Sequence, residues 1–220
     1  MELDVSKVGA ADRYKLLIGC VVPRPIAFVS TRSLEGRDNL APFSFFTAVG
    51  SDPMTLLFCP ANKPDGSEKD TLRNAKLRED GGTGQFVVNL AVEPYARRVA
   101  AAAESLPFGE SEFELVGLTP ESSQRVAPPR VAESPAAFEC ETMHVIRTNP
   151  GAAGGGNVVI GRVVHAFVRD GAIDDQFRVN PDALAAIARM GGFEYARTRE
   201  RFAMRPGRAT LDSDPPFPGV

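Results

Sequence analysis

The sequence predicts a mainly β protein, an antiparallel β-barrel with flanking helices. Two observations carry this expectation. Short runs of β-branched and aromatic residues recur along the 220-residue chain. The early runs are separated by turns instead of helices of crossover length, which disfavours a doubly wound parallel sheet. The few helical segments would decorate the barrel's ends and sides. With 43% hydrophobic residues the chain can bury a substantial core. Its length fits one domain over residues 1–220, ending in an irregular tail from about 206.

The elements follow in order. Residues 1–18 carry a weak helical pattern, with Tyr14, Leu17 and Ile18 at helical spacing. Pro23 and Pro25 then force extended backbone ahead of a strand over 26–31. Residues 34–38 form a polar turn, 39–49 a second strand, and 54–59 a third after the turn Ser51-Asp52-Pro53. A polar loop spans 60–69. A short helix should begin at Asp70 as N-cap, bury Leu72 and Ala75, and end at Gly81, Gly82 and Gly84. Residues 85–90 read as a clear strand, and Pro94 opens an alanine-rich helix over 95–104. The stretch 105–135 is rich in Pro, Ser and Gly, a long excursion of the kind that often carries function. Two long strands, 137–148 and 157–169, are joined by a flexible glycine-rich hairpin loop. A last helix is expected over 181–190, with Gly191 as its stop.

Composition excludes several functions. Lys plus Arg is 25 and Asp plus Glu is 28, a net charge of −3, with no basic stripe to hold nucleic acid. The apolar run near the start covers only 16–22, far short of the roughly 20 residues of a membrane helix. The first residues lack the basic start and apolar block of a secretion signal. Cys20, Cys59 and Cys140 are odd in number and far apart, so neither a disulfide framework nor a zinc site is expected. A cytoplasmic protein is the simplest reading. Cys59 reads as a small core residue.

The usual catalytic motifs are also missing. There is no G-x-G-x-x-G after a strand, no G-x-x-x-x-G-K-[ST] and no G-x-S-x-G. Of the two histidines, His165 alternates with Val163 and Phe167 on a strand and reads as a packed or partly exposed core histidine instead of a ligand. No triad, metal cluster or catalytic side chain can be assembled, so a bound cofactor is the expected chemist. Three segments can hold one. The run Asn39-Leu40-Ala41-Pro42-Phe43-Ser44-Phe45 mixes aromatics with small polar residues, and Pro42 marks a bulged edge strand. Free amides beside apolar surface suit a flat, hydrogen-bonding heterocycle, although packing of the phenylalanines alone would also explain the run. Lys69-Asp70-Thr71 at a helix start can seat a phosphate, or be an ordinary capped helix. Ser30-Thr31-Arg32 ends the first strand and can add donors, or simply initiate a turn.

These residues resemble the flavin reductase-like, FMN-binding split-barrel family, which includes flavoredoxin. The likeness rests first on 23–31, Gly36, 39–46 and Ser51-Asp52-Pro53. It continues through 69–74 and 86–90, then Glu112-Phe113-Glu114, Gly117-Leu118-Thr119, 129–131 and 133–135, and closes on 191–195. Met54 stands where the family commonly has a second proline, and the 60–68 loop is long and charged. The resemblance implies an antiparallel Greek-key split barrel, a homodimer with FMN near the subunit interface. It implies cofactor-binding roles for Ser30, Thr31, Asn39, Ala41, Pro42, Phe43, Ser44 and Phe45 around the ring and ribityl chain. Lys69, Asp70 and Thr71 would lie at the phosphate end, and Arg189 and Tyr195 near the flavin edge or the partner subunit.

The implied activity is an NAD(P)H-dependent flavin reductase or related oxidoreductase. Hydride transfer between two stacked rings is a positioning task that needs no protein acid, base or nucleophile. NAD(P)H would bind transiently, and a monooxygenase or other acceptor protein is a candidate partner. A non-enzymatic FMN electron carrier has the same sequence support. A barrel that has lost its cofactor is a third reading.

Overall fold

The computed structural model describes residues 1–107, 110–204 and 206–208. Most of the expected tail, 209–220, therefore lies outside the described residues, as do Phe108 and Gly109 of the excursion.

Helix α1 (Ala10–Cys20) leads into strands β1 (Arg24–Pro25), β2 (Ala27–Arg32), β3 (Asp38–Phe43), β4 (Phe46–Ser51) and β5 (Met54–Phe58). Helix α2 (Asp70–Ala75), strand β6 (Gln85–Leu90) and helices α3 (Ala96–Ala101) and α4 (Glu112–Val116) follow. Short strands β7 (Pro120–Glu121) and β8 (Arg130–Val131) precede the long β9 (Ala136–Arg147) and β10 (Asn157–Val168). Helix α5 (Pro181–Leu184) and strands β11 (Ile187–Arg189) and β12 (Tyr195–Arg197) complete the described elements.

The main sheet has seven antiparallel strands in the order β3-β2-β6-β9-β10-β5-β4. Its two edge strands, β3 and β4, are consecutive in the chain and separated only by Ser44 and Phe45. The sheet must therefore curl until its edges meet, and this join is the seam of the barrel. Side chains cross the seam inside, where the rings of Phe43 and Phe58 lie 5.2 Å apart and Phe86 packs on Phe58 at 5.1 Å. The step from β2 to β6 and from β5 to β10 gives the Greek-key connectivity.

Alternation along the strands builds two cores. Ala27 and Val29 of β2 face the barrel interior with Phe43, Phe58, Phe86, Val88 and Cys140. Phe28 and Leu40 face outward onto a second layer of Val92, Tyr95, Val99, Phe113 and Val131. Helices α3 and α4 and the excursion thus cover the outer face of β2, β3 and β6. Buried polar groups tie this layer down. Asn89 Nδ2 donates to Phe28 O and its Oδ1 accepts from Val131 N (3.0 and 2.8 Å), and the Ser30 hydroxyl donates to Pro129 O.

Several boundaries depart from the sequence reading. The single strand expected over 39–49 is two strands, because the chain turns the seam at Ser44 and Phe45. The 95–104 helix is a 3-10 turn over Glu93–Tyr95 followed by the shorter α3. The 181–190 helix stops at Leu184, since Ala185 adopts a left-handed conformation (φ 48°). Residues Ile187–Arg189 are then captured as β11, between β1 and β12. Lys69, not Asp70, is the N-cap of α2, and it caps without its side chain. The glycines follow a 3-10 turn over Arg78–Asp80 instead of ending α2 directly.

Candidate functional site

An open groove runs along the outside of the seam. One end is lined by Asn39, Ala41 and Pro42 of β3, by Lys69, Asp70 and Thr71 at the start of α2, and by Lys63 and Glu112. Residues 102–106, just beyond α3, form the opposite wall. Pro42 and Ala103 also line a second hollow, which continues past Ser44 to Arg189, Phe193, Tyr195 and Tyr14. The two hollows share these residues, so the groove is elongate, with lysines at one end and aromatic side chains at the other.

The lysine end rests on a buried polar network. Thr71 Oγ1 donates to Asn39 Oδ1 (3.0 Å), and Asn74 Nδ2 donates to Thr31 Oγ1 (3.0 Å). Glu112 Oε2 accepts from Asn39 Nδ2 (2.7 Å) and from the Leu40 amide (2.9 Å). Asp70 is engaged by Lys63 and Arg73 at 3.4 and 3.5 Å. Lys69 is half-buried, and no carboxylate of the described residues pairs with it. A partly desolvated ammonium with no ion-pair partner among the described residues suits an anion.

The loop bearing these lysines is propped on the β9–β10 hairpin. Asn62 N donates to Gly155 O (2.9 Å), and Asn157 Nδ2 donates to Pro60 O and Asn62 Oδ1 (2.8 and 2.9 Å). Gly66, at φ 85°, lies so close to Gly151 that a Cβ there would collide with the Gly151 carbonyl. Glu68 bridges Lys76 and Arg147 at 3.0 and 2.7 Å, which joins the loop to α2 and β9.

The aromatic end is assembled by Arg24. Its guanidinium donates to the carbonyls of Ile18 (2.6 Å), Val21 (2.5 Å) and Met190 (2.9 Å) and to Ser44 Oγ (3.2 Å). These bonds draw α1, β11 and the seam together. Arg189 lies over the Tyr195 ring, 4.6 Å from its centroid.

The sequence-predicted residues therefore separate into three groups. Asn39, Ala41, Pro42, Ser44, Lys69, Asp70 and Thr71 line the groove. Phe45 is half-buried beside Arg24, 5.9 Å from its guanidinium. Ser30, Thr31 and Phe43 do not line it: Ser30 faces the excursion, Thr31 the buried network and Phe43 the barrel interior. β3 is an edge strand, as Pro42 foretold, but it keeps an unbroken register with β2 instead of bulging. Fewer amides are free on its outer side than expected, because Leu40's is taken by Glu112 and Pro42 has none. Thr71 has its proton directed at Asn39, so its hydroxyl supports the wall instead of donating into the groove. Sequence reasoning passed over Lys63, Glu112, residues 102–106 and Arg24 as site residues. Glu112 and Arg24 stand inside the family-like blocks, the one signal that pointed to them. Cys59 is only partly buried, not a fully buried core residue, and desolvation raises its thiol pKa.

A split antiparallel barrel with an elongate groove outside its seam defines the class of flavin-binding barrel that the sequence resembled. Residues 18–185 match the family described as the flavin reductase like domain, and the chain belongs to that family. It is 38% identical over 207 residues to the uncharacterized protein BH2278 of Halalkalibacterium halodurans, covering 93% of this chain and 95% of that one. The solved structure of nitrilotriacetate monooxygenase component B from Bacillus cereus superposes with a TM-score of 0.85 at 34% identity, covering 93% of this chain and 98% of that one. The 2-nitrobenzoate 2-nitroreductase NbaA of Pseudomonas fluorescens gives 0.81 at 31% identity, over 94% and 96% of the two chains. Together these likenesses support a flavin-related oxidoreductase role.

Proposed function

We propose that the protein binds FMN along the seam groove and acts as an NAD(P)H-dependent flavin reductase or closely related oxidoreductase. The observation that carries this reading is the groove's polarity, from Lys69, which has no ion-pair partner among the described residues, to the aromatic end at Ser44, Arg189 and Tyr195. The donor set fits the cofactor. Lys69 and Lys63 would hold the phosphate, Asn39, Ala41 and Pro42 would flank the ribityl chain, and Ser44 and Tyr195 would border the ring. When bound, FMN supplies hydride and electron transfer between a reduced nicotinamide and an acceptor. The chain's own residues orient the ring, and the walls from 102–106 and α3 limit water.

The nitrilotriacetate monooxygenase component supports a second, acceptor protein as partner. Exposed Tyr14 and Leu17 on α1 and Val21 just after it, with Phe193 97% exposed beside the groove, support pairing of two copies. Among the described residues no helix is long and apolar enough to cross a membrane. We propose a cytoplasmic, homodimeric protein in which the whole chain forms one flavin reductase-like unit.

The test is anaerobic mixing of FMN-loaded protein with NADH or NADPH. Bleaching of the visible band is expected, followed by steady turnover with excess free flavin. Bound FMN that neither nucleotide bleaches would exclude the reductase reading and leave an electron carrier. Protein that takes up no FMN would overturn both.

A further inference from the structure

Arg24 is only 4% exposed, and no carboxylate of the described residues pairs with it. Its donors reach three carbonyl oxygens and one hydroxyl. Those partners take four of its five hydrogens and leave its charge unneutralised, an arrangement that is costly away from water. The guanidinium is held from three sides and cannot swing out to find an acid. Arg189 is a second cation of the same kind. It lines the groove with Pro42 and Ser44, its guanidinium bonds a carbonyl (Glu194 O, 3.3 Å), and no carboxylate of the described residues pairs with it. Burial is the main influence that disfavours the charge on Arg24, and nearby Arg189 adds to it. Two unbalanced guanidiniums therefore converge on one end of a groove that has no lining acid there among the described residues.

We infer that Arg24 and Arg189 form a fixed cationic seat that favours the negatively charged, reduced form of the ring held at this end of the groove. This rests on the FMN reading and adds which residues set the cofactor's redox balance. Arg24 is a positioning residue that acts through Ser44. Because Ser44 Oγ accepts from Arg24 Nε, its own proton is free to donate into the groove. Arg189 acts from the groove wall itself. A preorganised positive charge aimed at developing negative charge stabilises it without reorganisation.

The experiment uses full-length protein loaded with FMN. It compares Arg189→Met, Arg24→Met and Arg24→Lys by anaerobic redox titration, with FMN affinity measured by fluorescence. Each methionine variant should lower the affinity ratio of reduced to oxidised FMN about tenfold, a potential about 30 mV more negative for a two-electron couple. Arg24→Lys, which keeps the charge, should stay within about twofold of the parent ratio. If Arg24→Met does not fold, Arg189→Met decides alone, since that side chain is not fully buried and donates to a single carbonyl. A methionine variant that binds FMN with the parent potential would overturn the inference and leave the FMN reading intact. Parent protein that binds no FMN would overturn the reading beneath it.

Discussion

Lys69 and Thr71 lie two positions apart and have different work. The Lys69 ammonium has no acid partner among the described residues and borders the groove, whereas Thr71 is 1% exposed and its hydroxyl is bonded to Asn39. Lys69→Ala should therefore weaken FMN more than riboflavin, which lacks the phosphate. A charge-assisted contact of about 1 kcal/mol corresponds to a loss of about fivefold for FMN alone. Equal losses for the two ligands, read by fluorescence titration, would move the phosphate elsewhere. Glu112 is the keystone of the buried network, and Glu112→Ala would strand Asn39 Nδ2 and the Leu40 amide. That should cost about 1–3 kcal/mol in chemical denaturation, with Glu112→Gln recovering part of it. Residue types at the groove were legible in sequence, because Asn39, Pro42, Lys69 and Thr71 stand in distinctive blocks. Their orientations were not. Whether a hydroxyl faces a ligand or a neighbouring amide depends on partners such as Asn74 and Glu112, which are remote in the chain.

At the scale of elements, periodicity was informative where a strand packs on both faces. Strand β6 was read at its observed bounds, and β9 and β10 within one residue at each end. Failures came where long-range pairing overrides local preference. Residues 187–189 have helix-compatible side chains, but β1 offers them backbone partners at Arg24 and Pro25. The break between β3 and β4 was hidden because both halves are strand-like and only closure of the barrel demands the turn. Strand β10 supplies a sharper test of barrel packing. Its Gly161 faces Phe86 so closely that an added methyl would strike the ring. Gly161→Ala should destabilise the protein by about 1–3 kcal/mol through overpacking, measured as a lower denaturation midpoint. A neutral result would show that Phe86 can retreat, despite its contact with Phe58.

Across the whole molecule, charge ties together parts that share no core. Burial raises the Glu68 carboxyl pKa, but the Lys76 ammonium and Arg147 guanidinium outweigh it and hold the group below its ordinary value. A depressed carboxyl contributes stability above its unfolded pKa and loses it as pH falls through the folded one. The parent protein should therefore lose stability on acidification below the usual glutamate range. Glu68→Gln should show a shallower acid limb in stability measured against pH. An unchanged limb would assign the acid loss to other carboxylates. The barrel class was legible from the spacing of strands and turns, since that pattern leaves few ways to close a sheet. The groove was not, because its walls come from β3, α2, the stretch after α3, and β11.

The interlock of the lysine-bearing loop with the β9–β10 hairpin has a consequence for how such a protein diversifies. Gly66 and Gly151 touch backbone to backbone, so neither segment can be lengthened or exchanged by itself without displacing the other. Transplanting the lysine-bearing stretch between homologues should succeed only when both halves travel together. Variation at these two distant places in the gene is thereby coupled, and a chimera carrying one half should express as a barrel with a weakened hold on phosphorylated ligands.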